Sequence, residues 1–381
     1  MKILHCMLSC FYIDDYNYQE NILPRQNKAD GNEVKIIAST ETFMNNNTLG
    51  YIDASKYLSG DGIEVNRLEY KRIFSNTISK KIRKYKNTEK IITNYKPDII
   101  LYHGFGGYEL RTVAKYKKNN PNIKLYVDSH EDFHNSGTNF LSKKILHRGF
   151  NRRIVQEALP YIDKILCVAY ESFDFLQKMY DVPQEKMEFY PLGGIVFDED
   201  MRLKKREKKR RELGIKDDDI LLVHSGKLDK YKRTRDIISA LSHTNSNKLK
   251  LCIIGSIPEK DKNELLELIN KDNRIIYLGW KSADELMEYL CASDLYVQPG
   301  GQSATMQNAA CCGSALALYP YESHRDLMKD TVFYIESIED MKNLFLKISK
   351  EKKILEIQRN KSYALAKEKL DYKKLAARLY Q

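Results

Sequence analysis

The sequence predicts an α/β protein with two domains, each a doubly wound parallel sheet that has helices on both faces. The first observation is that short apolar runs alternate with longer helix-like segments along the whole chain. The second is that this alternation restarts after the Pro-Leu-Gly-Gly turn at residues 191–194. The third is the length of 381 residues, which exceeds one ordinary domain and suits two.

We expect the first domain at residues 1–192 and the second at residues 193–361. The first has strand-like runs at residues 3–8, 34–38, 99–103, 125–128 and 165–168. The second has strand-like runs at residues 220–224, 251–254, 275–278, 295–298 and 315–318. Residues 362–381 have a helical pattern with no strand after them, so we expect a C-terminal helix that packs back on the first domain.

Composition places the chain among globular, intracellular proteins. Hydrophobic residues make up 42% and charged residues 30%, which is a globular balance. The apolar runs are strand-sized, and the N-terminal segment lacks the long apolar core of a signal peptide. The seven cysteines complete no zinc-ligand pattern. We therefore expect a cytoplasmic protein with reduced thiols and no bound metal.

Positive charge is concentrated in two segments of the chain, whose net charge is +11. Residues 71–90 hold eight lysines and arginines against the single acid Glu89. Apolar side chains are interleaved at roughly helical spacing, namely Ile73, Phe74, Ile78, Ile82 and Tyr85. This pattern predicts a basic amphipathic helix that either binds an anionic membrane surface or buries its apolar stripe in the core. Residues 202–211 are almost purely charged and predict a solvated helix.

The strongest local signal for a ligand follows the strand that ends at His224. The chain runs into Ser225-Gly226-Lys227, and Lys232 and Arg233 come just before the next helix. Glycine lets a backbone approach an anion closely, and two lysines add point charges. The segment therefore suits a diphosphate, although basic loops before helices are also common without a ligand.

A second signal follows the strand at residues 295–298. This strand ends at Pro299-Gly300-Gly301, and a helix is expected to begin near Ser303 or Thr305. Free backbone N–H groups and the helix dipole favour a phosphate there, whereas a simple helix cap is the plainer alternative. Two such turns in one half favour a nucleoside diphosphate, because Rossmann-type sheets bind ligands at their strand ends.

The second half resembles the donor-binding half of glycosyltransferase family 4. These retaining enzymes have the GT-B architecture, in which two Rossmann-like domains face a central cleft. The matching stretches occur in the family's order, at residues 161–168, 190–194, 226–228 with 232, 275–280 and 292–299. The resemblance covers roughly residues 120–320, and the whole set is more specific than any one motif.

The resemblance implies roles for individual residues. Lys227 and Lys232 match the basic pair that holds the donor diphosphate, although the family more often has arginine first. His130 matches a histidine of the first domain that approaches the donor sugar, so Lys227, Lys232 and His130 are the expected catalytic residues. The other expected donor-binding residues are Gly226, Arg233, Leu278, Trp280, Gly301, Gln302, Ser303, Ala304, Thr305 and Asn308.

Four further residues are expected on the acceptor side. Glu20 and Asn21 belong to a stretch that looks like a variant of the family's first turn. Glu131 and Asp132 follow His130 and are candidates for orienting the acceptor. A separate protein base is not required in the family's front-face mechanism, because the leaving diphosphate helps to accept the proton.

The chain departs from the family at two positions. The family usually has two glutamates eight residues apart after the strand that ends before Pro299. The corresponding residues here are Gly300 and Asn308, so both carboxylates are missing. Asn308 can still hydrogen-bond a ribose hydroxyl, whereas Gly300 offers only its backbone to the sugar.

The expected function is transfer of a sugar from a nucleoside diphosphate sugar, with UDP as the donor on family frequency alone. The expected acceptor is a hydroxyl of a lipid-linked or cell-surface glycan, as in polysaccharide biosynthesis. No Asp-x-Asp motif follows a strand, so we expect a metal-independent enzyme without a cofactor. The basic segment at residues 71–90 adds an expected peripheral contact with the inner face of the cytoplasmic membrane.

Other functions remain open on the sequence. A non-catalytic relative that binds a nucleotide sugar or a partner would explain the missing glutamates, and a sugar-nucleotide 2-epimerase shares the two-domain fold. A nicotinamide oxidoreductase is disfavoured, because Gly104-Phe105-Gly106-Gly107 lacks the third glycine of the dinucleotide fingerprint. A nucleic-acid partner is not expected, because no RNA- or DNA-binding motif accompanies the charge.

Overall fold

The computed structural model describes residues 1–44, 48–73, 75–133, 136 and 142–380. Phe74, one of the apolar residues in the basic segment, lies outside these ranges. The chain forms two compact units, Met1–Pro191 together with Leu375–Gln381, and Leu192–Lys374. The division comes one residue before the predicted boundary, and the return to the first unit begins at Leu375 rather than at residue 362.

The first unit contains an eight-stranded sheet in the order β10-β9-β8-β7-β1-β2-β6-β5, plus a small hairpin of β3 and β4. All neighbours in the large sheet are parallel except β5 and β6. The strands are β1 Lys2–Met7, β2 Glu33–Ser39, β3 Glu41–Phe43, β4 Leu49–Tyr51, β5 Ser55–Leu58, β6 Glu64–Leu68, β7 Ile99–Tyr102, β8 Lys124–Ser129, β9 Lys164–Cys167 and β10 Met187–Phe189.

Helices connect these strands, as expected for parallel neighbours that need a crossover. They are α1 Gln19–Ala29, α2 Asn76–Ile82, α3 Thr88–Tyr95, α4 Glu109–Asn119, α5 Arg152–Ala158 and α6 Tyr170–Tyr180. A π-helical segment, Ser142–Asn151, precedes α5. The central strands β1 and β7 are almost continuously apolar and buried, which is typical of strands covered on both faces.

The second unit contains a six-stranded, fully parallel sheet in the order β13-β12-β11-β14-β15-β16. Its strands are β11 Ile220–Ser225, β12 Leu249–Ile254, β13 Ile275–Tyr277, β14 Leu295–Gln298, β15 Ala315–Leu318 and β16 Phe333–Tyr334. Its helices are α7 Glu199–Glu212, α8 Thr234–Ser242, α9 Lys262–Asn270, α10 Ala283–Ala292, α11 Thr305–Cys311, α12 Glu322–Met328, α13 Ile338–Lys350 and α14 Lys353–Leu365, and α15 Tyr372–Ala377 follows.

The single helix predicted at residues 362–381 is broken in the structure. Helix α14 runs into a π-helical turn, Ala366–Leu370, and Asp371 is extended before α15 begins. The break coincides with a pairing to Gly194, whose N–H donates to the carbonyl of Leu370 at 2.8 Å and whose carbonyl accepts from the N–H of Tyr372 at 3.2 Å. These hydrogen bonds hold the chain extended where a continuous helix would need it coiled.

Residues 71–90 do not form the single amphipathic helix that the sequence predicts. Helix α2 ends where Arg83 takes a left-handed conformation with φ 53°. Tyr85 then forms an isolated antiparallel bridge with Tyr70 and is buried, whereas Ile78 is exposed. The apolar residues therefore do not share one face, because the bridge turns Tyr85 into the core while α2 leaves Ile78 outside.

The charged helix α7 is not fully solvated, contrary to the prediction. Arg206 and Arg210 donate to the carboxylate of Asp294 at 2.5 and 2.9 Å. Arg206 also donates to the carbonyl of Ala292 at 2.8 Å. Asp294 is buried just before β14, and a buried carboxylate must be paired. One face of the charged helix therefore serves as its partner.

Candidate functional site

The carboxyl ends of β11 and β14 form the switch point of the second sheet. Chain order runs outward from β11 through β12 to β13 on one side and from β14 through β15 to β16 on the other. Crevices for ligands open at such points, because the loops that leave the two central strands diverge. The loop of residues 226–233 leaves β11, and the loop of residues 299–304 leaves β14. Both sequence-predicted turns therefore lie at the same point.

The two loops touch through Gly300 and Tyr231. A Cβ built on Gly300 would lie far inside van der Waals contact with the carbonyl oxygen of Tyr231. The neighbouring N–H of Gly301 donates to the same carbonyl oxygen at 3.0 Å. In this conformation of the two loops, no side chain fits at position 300.

Lys232 spans both loops. Its aliphatic stem covers Gly226, where an added Cβ would lie 3.1 Å from the Lys232 Cε. Its ammonium donates to the carbonyl oxygen of Gly301 at 3.2 Å. Burial lowers the pKa of Lys232, and the charge of Asp229 only partly opposes this effect. The cation is thus held in a partly dry position between the two turns.

Gly226 is packed from the other side by Gly255. A Cβ on Gly255, which has φ +145°, would overlap the carbonyl oxygen of Gly226. The N–H of Gly255 donates to the carbonyl of Gly279 at 2.8 Å. The strand ends of β11, β12 and β13 are therefore layered without side chains between them. This layering carries Leu278 and Trp280 to the same edge of the sheet, and the Trp280 side chain is 61% exposed.

Arg233 and Lys227 have opposite environments. The guanidinium of Arg233 donates to the carbonyls of Pro299 and Glu336 at 2.9 and 2.8 Å and to the carboxylate of Asp236 at 2.7 Å. Lys227 is exposed, and its ammonium has no hydrogen-bond or ion-pair partner among the residues described above. Arg233 therefore acts as a brace, while Lys227 is available to an anion.

A network of hydroxyl groups underlies the start of α11. The hydroxyl of the buried Tyr296 lies 3.4 Å from the hydroxyl of Ser225 and donates to Gln298 at 3.3 Å. The hydroxyl of Ser303 donates to that of Thr305 at 3.0 Å and accepts from the Thr305 N–H at 3.2 Å. The helix begins at Thr305, as the sequence predicts.

The remaining predicted residues of the second unit flank this network. Gln302 and Ala304 are exposed in the loop before α11. Asn308 lies on α11 with its Oδ1 2.8 Å from the place where Gly194 would carry a Cβ. The structure thus brings the predicted donor-side residues to one edge of the second sheet. Arg233 also lies there, and its guanidinium hydrogen-bonds other residues of the second unit.

The first unit has its own switch point, between β1 and β7. His130, Glu131 and Asp132 follow β8, the next strand along this edge. Glu20 lies in the first turn of α1, close enough to His103 for its charge to act on that imidazole. Asn21 is buried, and its amide donates to the carbonyl of Ile13 at 2.9 Å, so it braces the preceding loop.

The carboxyl group of Glu131 lies at this edge in a partly buried position. Burial raises its pKa to about 8, and a hydrogen bond from Tyr180 only partly opposes the shift. The Tyr180 hydroxyl lies 3.5 Å from Glu131 Oε2 and 2.5 Å from the Nδ1 of His147. Glu131 is therefore able to hold or release a proton near neutral pH.

Sequence reasoning missed two sets of residues that shape these edges. One is the pair of backbone groups at Tyr231 and Gly255, for which a sequence carries no signal beyond a glycine after a strand. The other is a buried chain of His5, His103 and Asp128 in the first unit, which lies directly at the strand ends. A polar residue inside or just after an apolar strand is the signal that could have found this chain.

Two general properties of the described chain bear on the site. Within the described ranges, no group of three or more His, Cys, Asp or Glu side chains is arranged to hold a metal ion. None of the described helices is long and apolar enough to cross a membrane.

Comparison with known proteins links the second unit to one family. Residues 205–365 match the family described as Glycosyl transferases group 1. A curated relative, the uncharacterized glycosyltransferase MJ1069 of Methanocaldococcus jannaschii, is 25% identical over 187 residues. The match covers 46% of this chain and 45% of the relative, so the chain spans less than half the length of that protein.

Solved structures resemble this chain over nearly its whole length. HepE of Anabaena in complex with UDP and glucose has a TM-score of 0.65 and 15% identity, over 99% of this chain and 98% of that one. A glycosyltransferase of Rickettsia africae has a TM-score of 0.69 and 13% identity, over 99% and 96%. This likeness establishes the predicted GT-B fold with its two Rossmann-like domains. The match to the glycosyl transferases group 1 family spans residues 205–365 and therefore includes the switch point of the second sheet.

Proposed function

We propose that this chain is a glycosyltransferase that moves a hexosyl group from a nucleoside diphosphate sugar to an acceptor hydroxyl. The observation that carries the proposal is the cradle at the switch point of the second sheet. There Lys232 is half-buried against Gly226 and Gly301, and Lys227 is left without a partner among the described residues. Two cations beside glycine turns suit a diphosphate, and they lie in the segment that matches the family.

In the proposed reaction, an acceptor oxygen forms a bond to the anomeric carbon as the bond from that carbon to the diphosphate breaks. The electron pair of the broken bond stays on the diphosphate oxygen, and the acceptor proton moves to the leaving diphosphate. Lys227 and Lys232 stabilise the charge that grows on the diphosphate, and the partly dry position of Lys232 strengthens its contribution. We propose a metal-independent reaction with retention at the anomeric carbon.

UDP is the proposed nucleotide of the donor. One structural relative, HepE of Anabaena, was crystallised with UDP-glucose, and its chain aligns with 100% of this one at a TM-score of 0.67. Trp280 and Leu278, beside the layered glycines, are the proposed neighbours of the nucleobase. Asn308 is proposed to hydrogen-bond a ribose hydroxyl, because its amide oxygen can accept a hydrogen bond in place of the missing carboxylate.

The proposed acceptor is a lipid-linked or cell-surface glycan, reached by peripheral binding at the inner face of the cytoplasmic membrane. Support comes from a surface of the first unit on which apolar side chains lie beside lysines. Tyr51 and Ile78 are both exposed, and the ammonium of Lys80 lies 3.2 Å from the centre of the Tyr51 ring. Aromatic and cationic side chains together suit an anionic lipid interface. Co-sedimentation with anionic but not neutral vesicles tests this part.

The first experiment is a set of melting curves with millimolar UDP, GDP, CDP, ADP and NAD, each with and without EDTA. A nucleotide at about a hundred times its dissociation constant stabilises the protein by roughly 2.7 kcal/mol, which raises the Tm by several degrees. A rise with UDP that EDTA does not change supports the proposal. No rise with any diphosphate contradicts it.

A second candidate function is non-catalytic binding of a nucleotide sugar. The observation that favours it is Gly300, where the contact with Tyr231 leaves no room for the carboxylate that the family usually has. A nucleotide-dependent rise in Tm without hydrolysis or transfer of any hexosyl group, over a panel of UDP sugars and glycan acceptors, would favour this candidate.

A further inference from the structure

A buried chain of polar side chains lies at the carboxyl edge of the first sheet, and its last member, Asp128, comes two residues before His130. His5 lies in β1, His103 follows β7, and Asp128 lies in β8, so the chain joins three adjacent strands. The distances are 3.0 Å from His5 Nδ1 to His103 Nε2 and 2.6 Å from His103 Nδ1 to Asp128 Oδ2. All three side chains are 0% exposed.

The order of protons along this chain follows from Asn27 on α1. Its Oδ1, which can only accept, lies 2.9 Å from His5 Nε2, so with the Asn27 amide in this orientation His5 carries its proton on Nε2. Burial, assisted by the charge of His103, lowers the pKa of His5 to about 3, so His5 is neutral and its Nδ1 accepts from His103. His103 then donates from both ring nitrogens, since its Nδ1 faces a carboxylate. His103 is therefore an imidazolium.

The electrostatics of the pair agree with this assignment. Burial alone lowers the pKa of His103, but the charge of Asp128 and its hydrogen bond outweigh burial and raise it. Burial likewise raises the pKa of Asp128, and the charge and hydrogen bond of His103 reverse that shift. The other titratable groups that act on the pair are Glu20 from α1, Cys10 from the loop after β1, Cys167 from β9 and His130 itself.

The pair also holds the two loops at this edge. Asp128 Oδ1 accepts from the N–H of Gly104 at 2.8 Å, in the loop after β7. The same oxygen lies 3.8 Å from His130 Nε2. The carbonyl of the intervening Ser129 accepts from the N–H of Val168 at 3.2 Å. The buried carboxylate of Asp128 thus holds the start of the segment that carries His130.

We propose that His103 and Asp128 are positioning residues, whose buried ion pair fixes the segment that carries His130. The ion pair stands on the geometry of the first unit alone. Its consequence for sugar transfer rests on the proposed function, because His130 is the residue of this edge that is expected to approach the donor sugar. A buried ion pair costs desolvation free energy, and this one is stable only because each charge has a second hydrogen-bond partner.

The first test measures the protonation state of the histidine rings by NMR of ¹⁵N-histidine-labelled full-length protein at pH 7.5. His103→Gln and His5→Gln assign the two signals by their loss. We expect two protons on His103 and one, on Nε2, on His5. His224 serves as an internal standard, because its Nδ1 lies 2.8 Å from the carbonyl of Val297 and must carry its only proton there.

A singly protonated His103 in the wild type would overturn the proposal, because the chain would then run in the opposite order with the Asn27 amide donating. Raising the pH extends the test within the wild type. We expect the His103 signal to keep both protons beyond the pH at which an ordinary histidine, with a pKa near 6.5, has lost one.

The second test compares Asp128→Asn with Asp163→Asn. Asp163 accepts from the N–H of Leu125 at 2.7 Å and so braces the opposite end of β8. We expect Asp128→Asn to remove one proton from His103 and to lower kcat at least about tenfold, with the donor KM within about twofold. Asp163→Asn should leave His103 doubly protonated and kcat within about twofold.

The outcomes separate the positioning role from the proposed function. Equal losses of kcat in the two variants would overturn the positioning role. If the wild type transfers no sugar at all, the proposed function fails while the ring protonation still decides the ion pair. If Asp128→Asn does not fold, His103→Gln replaces it in the kinetic comparison, with the same expected loss.

Discussion

The ammonium of Lys232 donates to the carbonyl oxygen of Gly301 at 3.2 Å, so one side chain connects the loops that leave two adjacent strands of the second sheet. A cation that satisfies a backbone carbonyl in this way is positioned before any ligand arrives. Preorganisation of this kind is the main source of electrostatic stabilisation in enzymes, because no reorganisation is needed when charge develops.

Lys227→Ala should lower kcat at least about tenfold, because this exposed cation next to Gly226 has no partner among the described residues and is available to the leaving diphosphate. Lys230→Ala is the matched control, since Lys230 is also exposed, in the same loop, with its ammonium 5.0 Å from the centre of the Tyr231 ring. Steady-state kinetics with a UDP sugar measure both. If Lys230→Ala lowers kcat as much as Lys227→Ala does, the effect comes from the overall positive charge of the loop and not from the position of Lys227.

The affinity for UDP should fall as the pH rises through the alkaline range. Burial lowers the pKa of Lys232, so this lysine loses its charge at a lower pH than an exposed one. Calorimetric titration with UDP between pH 7 and pH 10 measures the effect. Lys232→Met should bind UDP weakly at all pH values and lack this part of the pH dependence; an unchanged pH dependence would assign it to another group.

Gly300→Ala should disturb the donor loop, whereas Gly301→Ala should be tolerated. An added Cβ at residue 300 overlaps the carbonyl oxygen of Tyr231, while one at residue 301 lies 3.8 Å from the same atom, which is an ordinary contact. We expect a loss of about 1–3 kcal/mol of stability for the first variant and less than about 0.5 kcal/mol for the second. Melting curves with and without UDP compare them, and equal Tm values would contradict the tight fit.

Asp294→Asn should destabilise the second unit. The Asp294 carboxylate is buried against Arg206 and Arg210, and breaking one partner of such a cluster leaves buried charges uncompensated, at a cost of about 3–5 kcal/mol. Asp218→Asn is the control, because the pair of Asp218 with Lys248 is exposed and should contribute less than about 1 kcal/mol. Urea unfolding at pH 7 measures both variants.

The same carboxylate sets a dependence on acid. Its arginine partners outweigh burial and lower the pKa of Asp294 in the folded protein. The stabilisation is therefore complete above the ordinary aspartate pKa, near 3.9, and is lost as the pH falls through the lower folded value. The difference in the free energy of unfolding between the wild type and Asp294→Asn should consequently become smaller only in acid. A gap that is unchanged down to the acid transition would argue against the ion pair.

Glu131→Gln should stabilise the first unit at pH 8 more than at pH 5. Burial raises the pKa of Glu131 to about 8 in the folded protein, against roughly 4.3 for an unfolded glutamate. Folding then favours the protonated form, and the wild type loses stability as the pH rises between these two values. Melting curves across this range test the prediction. Glu185→Gln, at an exposed glutamate, should leave the pH dependence unchanged.

Much of the fold could be predicted from the sequence because parallel strands buried on both faces are continuous apolar runs. The strand at residues 295–298, for example, has the bounds that the sequence predicts. Strands β3, β4, β5, β6, β10 and β16 were missed. All except β6 have four residues or fewer, which is too short for an apolar period to show.

The candidate site was predictable only as far as residue type and position after a strand indicate a role. Lys232 was found for that reason, and the structure places it between the two turns. Arg233 was assigned to the donor by the same reasoning, and the structure shows that its Nη1 donates to the carbonyls of Pro299 and Glu336. Which of two neighbouring cations faces a ligand depends on backbone direction, here the left-handed conformation of Arg233 with φ 55°, and a sequence does not display it.

The path of the last residues has a consequence for how the protein can be divided. Leu375 belongs to the first unit, where its carbonyl oxygen accepts from the buried hydroxyl of Tyr190 at 2.6 Å, and Arg378 donates to the carbonyl of Phe189 at 2.9 Å. One cut of the gene after Pro191 would thus produce an N-terminal fragment that lacks part of its own structure. If residues 375–380 are instead moved in front of Met1 through a short linker, the N-terminal fragment contains all of these segments of the first unit in one polypeptide.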